Sequence, residues 1–417
     1  MQVFIFTILA ACAGFCTSSP RPHNFDLKGT HLLEPCNVHT DVSHEYRSDL
    51  YDFAISMYKA VSARKETNFV YSPLSVWIML AALAEGSDPY TQQQLFSLLN
   101  LPYDACTRQK YYQYAGSRLV PSDDVKIISN RVLLLDAGVT LNPTWYDLVL
   151  KNNLLDVLTA PLHYNPAVTT NELRKLLHAS LPNINLKGNS VLLDTVDYNG
   201  LWTTEFADAK IERAPFHDQL GNPIGYVDLM KVTKRAKLGY VKSLKAKVLD
   251  LPVGGNEQYR MIFALFPESD NVRKTFNLVT SEIVFEMFDS FKESNVPVEI
   301  AIPRFVTTNE LDMRTVVEDF GVTSLWSDPA ATRNVSHPPA LPSSWVHRAT
   351  FTLDNHGVYS SPFEVEQATP YVAGGPTGLD PKVGNEFTAD RPFLFALFDA
   401  ETLSCLIASS FSVPTYK

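Results

Sequence analysis

The 417-residue chain contains no G-x-S-x-G elbow, no Walker loop, no dinucleotide fingerprint, no H-E-x-x-H and no paired C-x-x-C. Each absence removes a class of chemistry: the α/β-hydrolase nucleophile, the phosphate cradle, dinucleotide binding and the common zinc sites. The ten histidines fall into no triad pattern with Ser and Asp, so catalysis is the weakest of the readings and no cofactor is implied. His23, His31, His39 and His44 lie near Cys36. Metal ligands must face one another at close spacing, and an extended tail accounts for these residues better. There is also no excess of positive charge. With a formal net charge of −10, neither nucleic acid nor an anionic membrane is an expected partner. One basic run, Lys231, Lys234, Arg235, Lys237, Lys242, Lys245 and Lys247, opposes this trend. It reads as a solvated strand face, with polyanion binding as the alternative.

Long apolar runs are missing too. The longest internal one, "PLSVWIMLAALAEG", stops at Glu85-Gly86, short of the roughly 20 residues that a membrane-spanning helix needs. The opening "MQVFIFTILAACAGFC" is followed by small residues and "SSPRP". It reads as a signal peptide over residues 1–18, which makes the chain a secreted, extracellular protein. Cysteine is scarce, at five residues. Cys12 and Cys16 leave with the signal, and an exported chain with Cys36, Cys106 and Cys405 can form one intrachain pair. Cys36 is expected to pair with Cys106. Cys405 lies in the apolar "TLSCLIASSF" and is expected to be a buried free thiol. Asn334-Val335-Ser336 is a glycosylation sequon.

Residues 19–45 are polar and broken and read as an N-terminal extension. From Tyr46, the positions Tyr46, Leu50, Phe53, Met57 and Val61 recur at helical spacing. In "NFVYSPLSVWIMLAALAEGSDPYT", Ser72 is placed to cap a helix, Pro73 to begin it and Gly86 to stop it. That helix is apolar nearly all round, so it belongs at the centre of a large domain. Strand signals occur at "VKIISNRVLLLDAGVTL", "SVLLDTVDYNGLW", "AKVLDLPV", "YRMIFALFP", "PVEIAIPRF", "RATFTLD", "FLFALFDAE" and "CLIASSFSV". Hairpin-like strands, with helices mostly in the first half, predict a mixed α+β fold. No repeat and no Gly/Ser linker divides the chain, so one large domain over 46–417 is expected.

Several of these stretches, taken in order, resemble one family, the serpins. "NFVYSPLSV" is similar to the start of that family's second helix, and "AEGSDPYTQQQLFSLL" to the glycine and threonine beyond it. "IISNRVLLL" and "VLLDTVDYNGLWTTEF" resemble central-sheet strands, the second ending in Gly200 and Trp202 of the region called the breach. "VLDLPV", "MIFALFP", "VEIAIPRF", "LDMRTVVEDFGVTSLWSD" and "FTADRPFLFALFD" continue the match. The resemblance implies a serpin fold with three β-sheets, about nine helices and an exposed reactive-centre loop at about 357–386. It implies an extracellular serine protease as partner, or else an unknown ligand for a non-inhibitory carrier, with no nucleic acid or membrane and a monomeric state. Inhibitory members are cut in this loop, which then enters the main sheet as a new strand and drags the acylated protease with it.

The gap from His347 to Gly357 in "VHRATFTLDNHG" matches the family, so the resemblance groups Ser72, Asp194 and His347 where the sheet parts. The family's usual Asn is Asp194 here, which still accepts a hydrogen bond. The hinge reads Gly357, Val358, Tyr359, Ser360, Ser361, Pro362, Phe363, Glu364 where inhibitors carry Thr-Glu and alanines. Strand alternation turns Val358, Ser360, Pro362 and Glu364 inward. Pro362 gives no ladder hydrogen bond, at roughly 3 kcal/mol, and a buried unpaired Glu364 costs several kcal/mol more. A few kcal/mol on the insertion barrier is a factor of about 10–1,000 in rate. Substrate-like or non-inhibitory behaviour is therefore expected, with working inhibition as the alternative. The family spacing sets the scissile bond at Tyr371-Val372, with Lys382 as a basic alternative.

Overall fold

The computed structural model describes residues 41–65, 68–119, 125–162, 166–176, 186, 188–200, 206, 209–254, 256–267, 272–355 and 384–416. Among these, three large sheets, one two-stranded ribbon and ten helical segments make up a mixed α+β fold. The five-stranded sheet runs in the order Phe305–Asp312, Pro342–Leu353, Ser190–Gly200, Val125–Asp136, Asp156–Ala160. The seven-stranded sheet runs Phe69–Tyr71, Cys405–Phe411, Phe393–Asp399, Tyr259–Leu265, Ala246–Val253, Lys237–Val241, Lys292–Glu293. The four-stranded sheet runs Glu386–Thr388, Val298–Pro303, Pro223–Lys234, Lys210–His217.

The helix Ser43–Arg64 buries Tyr46, Leu50, Phe53, Met57 and Val61 along one stripe, and it begins three residues before the point where the apolar period starts. The helix Pro73–Gly86 is buried on every side except at Glu85. Ser72 caps it by accepting from the Ser75 amide, and Pro73 occupies the first turn, where a missing N–H costs nothing. Gly86 differs from the expected stop. It is the last helical residue, and a Cβ there would run into Val335 Cγ2 and lie 2.8 Å from the Trp145 ring. Glycine is needed for close approach at this point, not for left-handed backbone.

Alternation divides the two faces of the five-stranded sheet. On Pro342–Leu353, Trp345, His347, Ala349, Phe351 and Leu353 are buried on the inner face, which meets the seven-stranded sheet; Phe351 lies 4.8 Å from Phe395. The outer face carries a smaller core of Val132, Leu134, Val191 and Leu193, covered by Leu173 of the helix Pro166–Leu176. The basic run of the sequence is spread over three strands and the turns between them. Lys231 pairs with Glu212 at 3.0 Å, Lys234 lies 5.1 Å from the Phe206 ring centroid, and Arg235, Lys237, Lys242 and Lys245 are exposed.

Candidate functional site

Pro342–Leu353 and Ser190–Gly200 lie side by side and parallel, in register from Trp345 opposite Leu192 to Phe351 opposite Tyr198. Each is antiparallel to its other neighbour. The seam between them is therefore the place where a strand running antiparallel to both would fit without reversing either one.

The middle of the seam is closed by a buried polar centre. His347 and Asp194 are fully buried, and His347 Nδ1 lies 2.7 Å from Asp194 Oδ2. The Ser72 amide donates to His347 Nε2 at 3.1 Å. A nitrogen that accepts from a backbone N–H carries no proton, so the imidazole is neutral and its Nδ1–H donates to the carboxylate. Asp194 Oδ1 accepts from Ser75 Oγ at 2.6 Å, and Ser72 Oγ donates to the Leu406 carbonyl at 2.6 Å. Four elements thus meet here: both seam strands, the start of the buried helix and the strand Cys405–Phe411. Arg131 sits across the ladder from Asp194. It donates to the Leu154 and Asn153 carbonyls and to Ser129 Oγ at 2.8–3.2 Å. Burial pulls its pKa down, against the opposing pull of the Asp194 and Asp156 charges.

The two ends differ. At one, the Tyr198 and Phe351 rings are stacked across the seam at 5.0 Å and 9°, and burial pushes the Tyr198 hydroxyl pKa up. At the other, the pairing shifts register between Pro342 and Trp345. Among the described residues, three buried side-chain polar atoms have no hydrogen-bond partner, and two of them, Ser190 Oγ and Trp345 Nε1, lie at this end, one on each seam strand. The third, Ser409 Oγ, belongs to the lining of an apolar cavity of about 130 Å³ between the helices Ser43–Arg64 and Ser281–Ser290 and the seven-stranded sheet.

The structure brings Ser72, Asp194 and His347 together. Gly357, Val358, Tyr359, Ser360, Ser361, Pro362, Phe363, Glu364, Tyr371, Val372, Trp202 and Cys36 lie outside the described residues. Asn334 is exposed, but its Nδ2 donates to the Ser87 carbonyl at 3.1 Å, and Val335 and Ser336 are buried. Cys106 is disulfide-bonded, and Cys405 is free and buried, its thiol pKa pushed up to about 12 by burial. Sequence reasoning missed Ser75, whose place three residues after the cap Ser72 was a usable signal. It also missed Tyr198, Ser190, Trp345 and Phe351, whose adjacency depends on strand register.

The family profile described as "Serpin (serine protease inhibitor)" matches residues 48–414. The chain is 25% identical to an alpha-1-antiproteinase of Callosciurus caniceps over 423 residues, covering 98% of both. It is 22% identical to an uncharacterized serpin-like protein of Methanosarcina acetivorans, covering 99% of this chain and 98% of that one. Serpin-12 of Manduca sexta superposes with a TM-score of 0.75 at 19% identity, over 89% of this chain and 99% of that structure. Tengpin, a thermophilic serpin in its native state, gives a TM-score of 0.75 at 19% identity, over 89% and 95%.

Proposed function

This chain belongs to the serpin family, and we propose from that premise that it is a secreted serpin of serine-protease-inhibitor type whose cut loop inserts too slowly to trap a protease. The family is one of protease inhibitors and not of catalysts. The observation that carries the reading is the seam itself, a parallel pair bounded by antiparallel neighbours. A strand entering it must place one set of alternate side chains on the buried inner face. Val358, Ser360, Pro362 and Glu364 are that set in the register set by His347 and Gly357. Pro362 withholds a ladder hydrogen bond, and Glu364 brings a carboxylate to an inner face whose central histidine already has both ring nitrogens engaged. Inhibition is a race between insertion and hydrolysis of the acyl bond, so a raised insertion barrier releases the protease and leaves a cut serpin.

The same proposal covers the signal over 1–18, a disulfide from Cys36 to Cys106, glycosylation at Asn334 and a monomeric state. The target class comes from Tyr371-Val372: a chymotrypsin-like extracellular protease. The test is incubation of the purified chain with such a protease, read on denaturing gels. Cleavage within 358–386 with no SDS-resistant complex is expected. A covalent complex would establish the alternative, a functional inhibitor acting by suicide-substrate loop insertion.

A further inference from the structure

Eleven large apolar side chains stand exposed among the described residues. Five of them, Ile211, Leu220, Ile224, Tyr226 and Tyr416, lie on one hairpin of the four-stranded sheet and on the chain end laid against it. Single exposed apolar residues need no explanation, but a group of this kind marks a contact surface. The chain end is fixed there: Tyr226 and Tyr416 exchange two backbone hydrogen bonds at 2.8 and 3.0 Å. Gly225 has φ +156°, and a Cβ there would run into the Tyr416 carbonyl oxygen, so the strand is shaped to receive that end.

At the centre of the group is Asp228, only 6% exposed. Its carboxylate accepts from Arg213 Nε and Arg304 Nη2 at 3.1 Å each, and from the Tyr416 hydroxyl at 3.0 Å. The Arg213 guanidinium also lies over the Tyr416 ring, 4.1 Å from its centroid. One carboxylate thus positions two guanidiniums, and each gives it a single N–H. A guanidinium carries five donors in a planar fork. With the two side chains still 58% and 43% exposed, most of each fork is left for an incoming acceptor. Two positive charges against one negative leave a local excess of one, on a chain whose net charge is −10.

We propose that this face docks an acidic segment of a partner protein, whose carboxylate bridges Arg213 and Arg304 while a neighbouring aromatic side chain covers Tyr226 and Ile224. The surface lies on a different sheet from the seam and does not depend on strand uptake. A basic segment would be repelled, and a wholly apolar one would desolvate two guanidiniums without giving them an acceptor. One excess charge is too little for a polyanion, which is held by many phosphate-type contacts. A carboxylate matches the fork in shape and charge. Asp228 has already ordered both arginines in the free protein, so less side-chain entropy is lost on docking. Tyrosine and arginine are also the residues in which interface hot spots are richest.

The test measures fluorescence anisotropy of two labelled peptides, Asp-Phe-Glu-Phe-Asp and its neutral counterpart Asn-Phe-Gln-Phe-Asn, titrated with the full chain. The acidic peptide is expected to bind at least about 10-fold more tightly, the lower range for hydrogen bonds to a charged group, and to weaken as salt is added. Arg213→Gln and Arg304→Gln should each reduce that preference by roughly 10-fold. Glutamine keeps a donor for Asp228, and an unchanged unfolding temperature confirms the fold. Tyr226→Ala, at an exposed side chain, should weaken both peptides alike. Equal affinity for the two peptides, or binding of the acidic one that neither arginine variant alters, would overturn the proposal. So would a concentration-dependent dimer that the arginine variants dissolve, since it would give the face to a second copy of the chain.

Discussion

The seven-stranded sheet and the seam of the five-stranded sheet meet at Phe351, and they are held together by different physics. In the seven-stranded sheet every neighbouring pair is antiparallel. Its inner face is a cluster of Phe263, Phe393, Phe395 and Phe411, with ring centroids 5.3–6.4 Å apart, and Phe305 of the adjoining sheet packs onto it. Such contacts are numerous, non-directional and individually replaceable. The seam is parallel and is closed by one ring stack and one polar centre whose bonds are directional and few. Dispersed apolar contacts make a body that resists opening everywhere. A small number of directional ones make a joint that opens in one place.

Substitutions at three positions would break or sharpen this contrast. Phe263→Ala, deep in the ring cluster, should lower the unfolding free energy by about 3–5 kcal/mol in a denaturant titration and leave the rate of strand uptake at the seam unchanged. Faster uptake would mean that the two regions are not separable. Asp194→Ala strands the His347 Nδ1–H and the Ser75 hydroxyl, at about 1–3 kcal/mol for each buried group left unpaired. Here the loss should appear at the joint, as faster uptake, and Asp194→Asn, which retains an acceptor, should restore most of the wild-type rate. The smallest effect lies in the four-stranded sheet. Burial works to raise the pKa of Asp228, but hydrogen bonds from Arg213, Tyr416 and Arg304 at 3.0–3.1 Å outweigh it and hold the carboxyl below its usual value. A folded-state pKa below the unfolded one contributes stability that is present above about pH 4 and is lost as the pH falls through the lowered value. Asp228→Asn should flatten that acid limb in a melting series and leave uptake at neutral pH untouched.

Much of the architecture was legible because period and capping are local. The stripe from Tyr46 to Val61, the Ser72 cap and the apolar runs "AKVLDLPV" and "YRMIFALFP" each announce their element within a few residues. The hairpin Lys210–His217 with Pro223–Lys234 escaped notice, because its exposed edge strand carries Lys210, Glu212 and Arg213 and shows no clean alternation. At the seam, Ser72, Asp194 and His347 were found through the family's spacing. Ser190 and Trp345 were not, since no local pattern says that residues 155 positions apart in the chain will share one slot. Gly86 was read as a helix stop from the sequence, and its actual reason, the approach of Val335 and Trp145, is a tertiary fact.

The parallel pairing of Pro342–Leu353 with Ser190–Gly200 has a consequence for time. If the seam takes up one more strand, as proposed above, the sheet is not at its lowest free energy while those two strands touch. What keeps such a molecule in its working form is a barrier, and a barrier is a rate. A purified stock would then age without unfolding. The fraction still able to take up a strand would decline on a clock set by how often the seam parts, and that clock would run faster with each degree of warming.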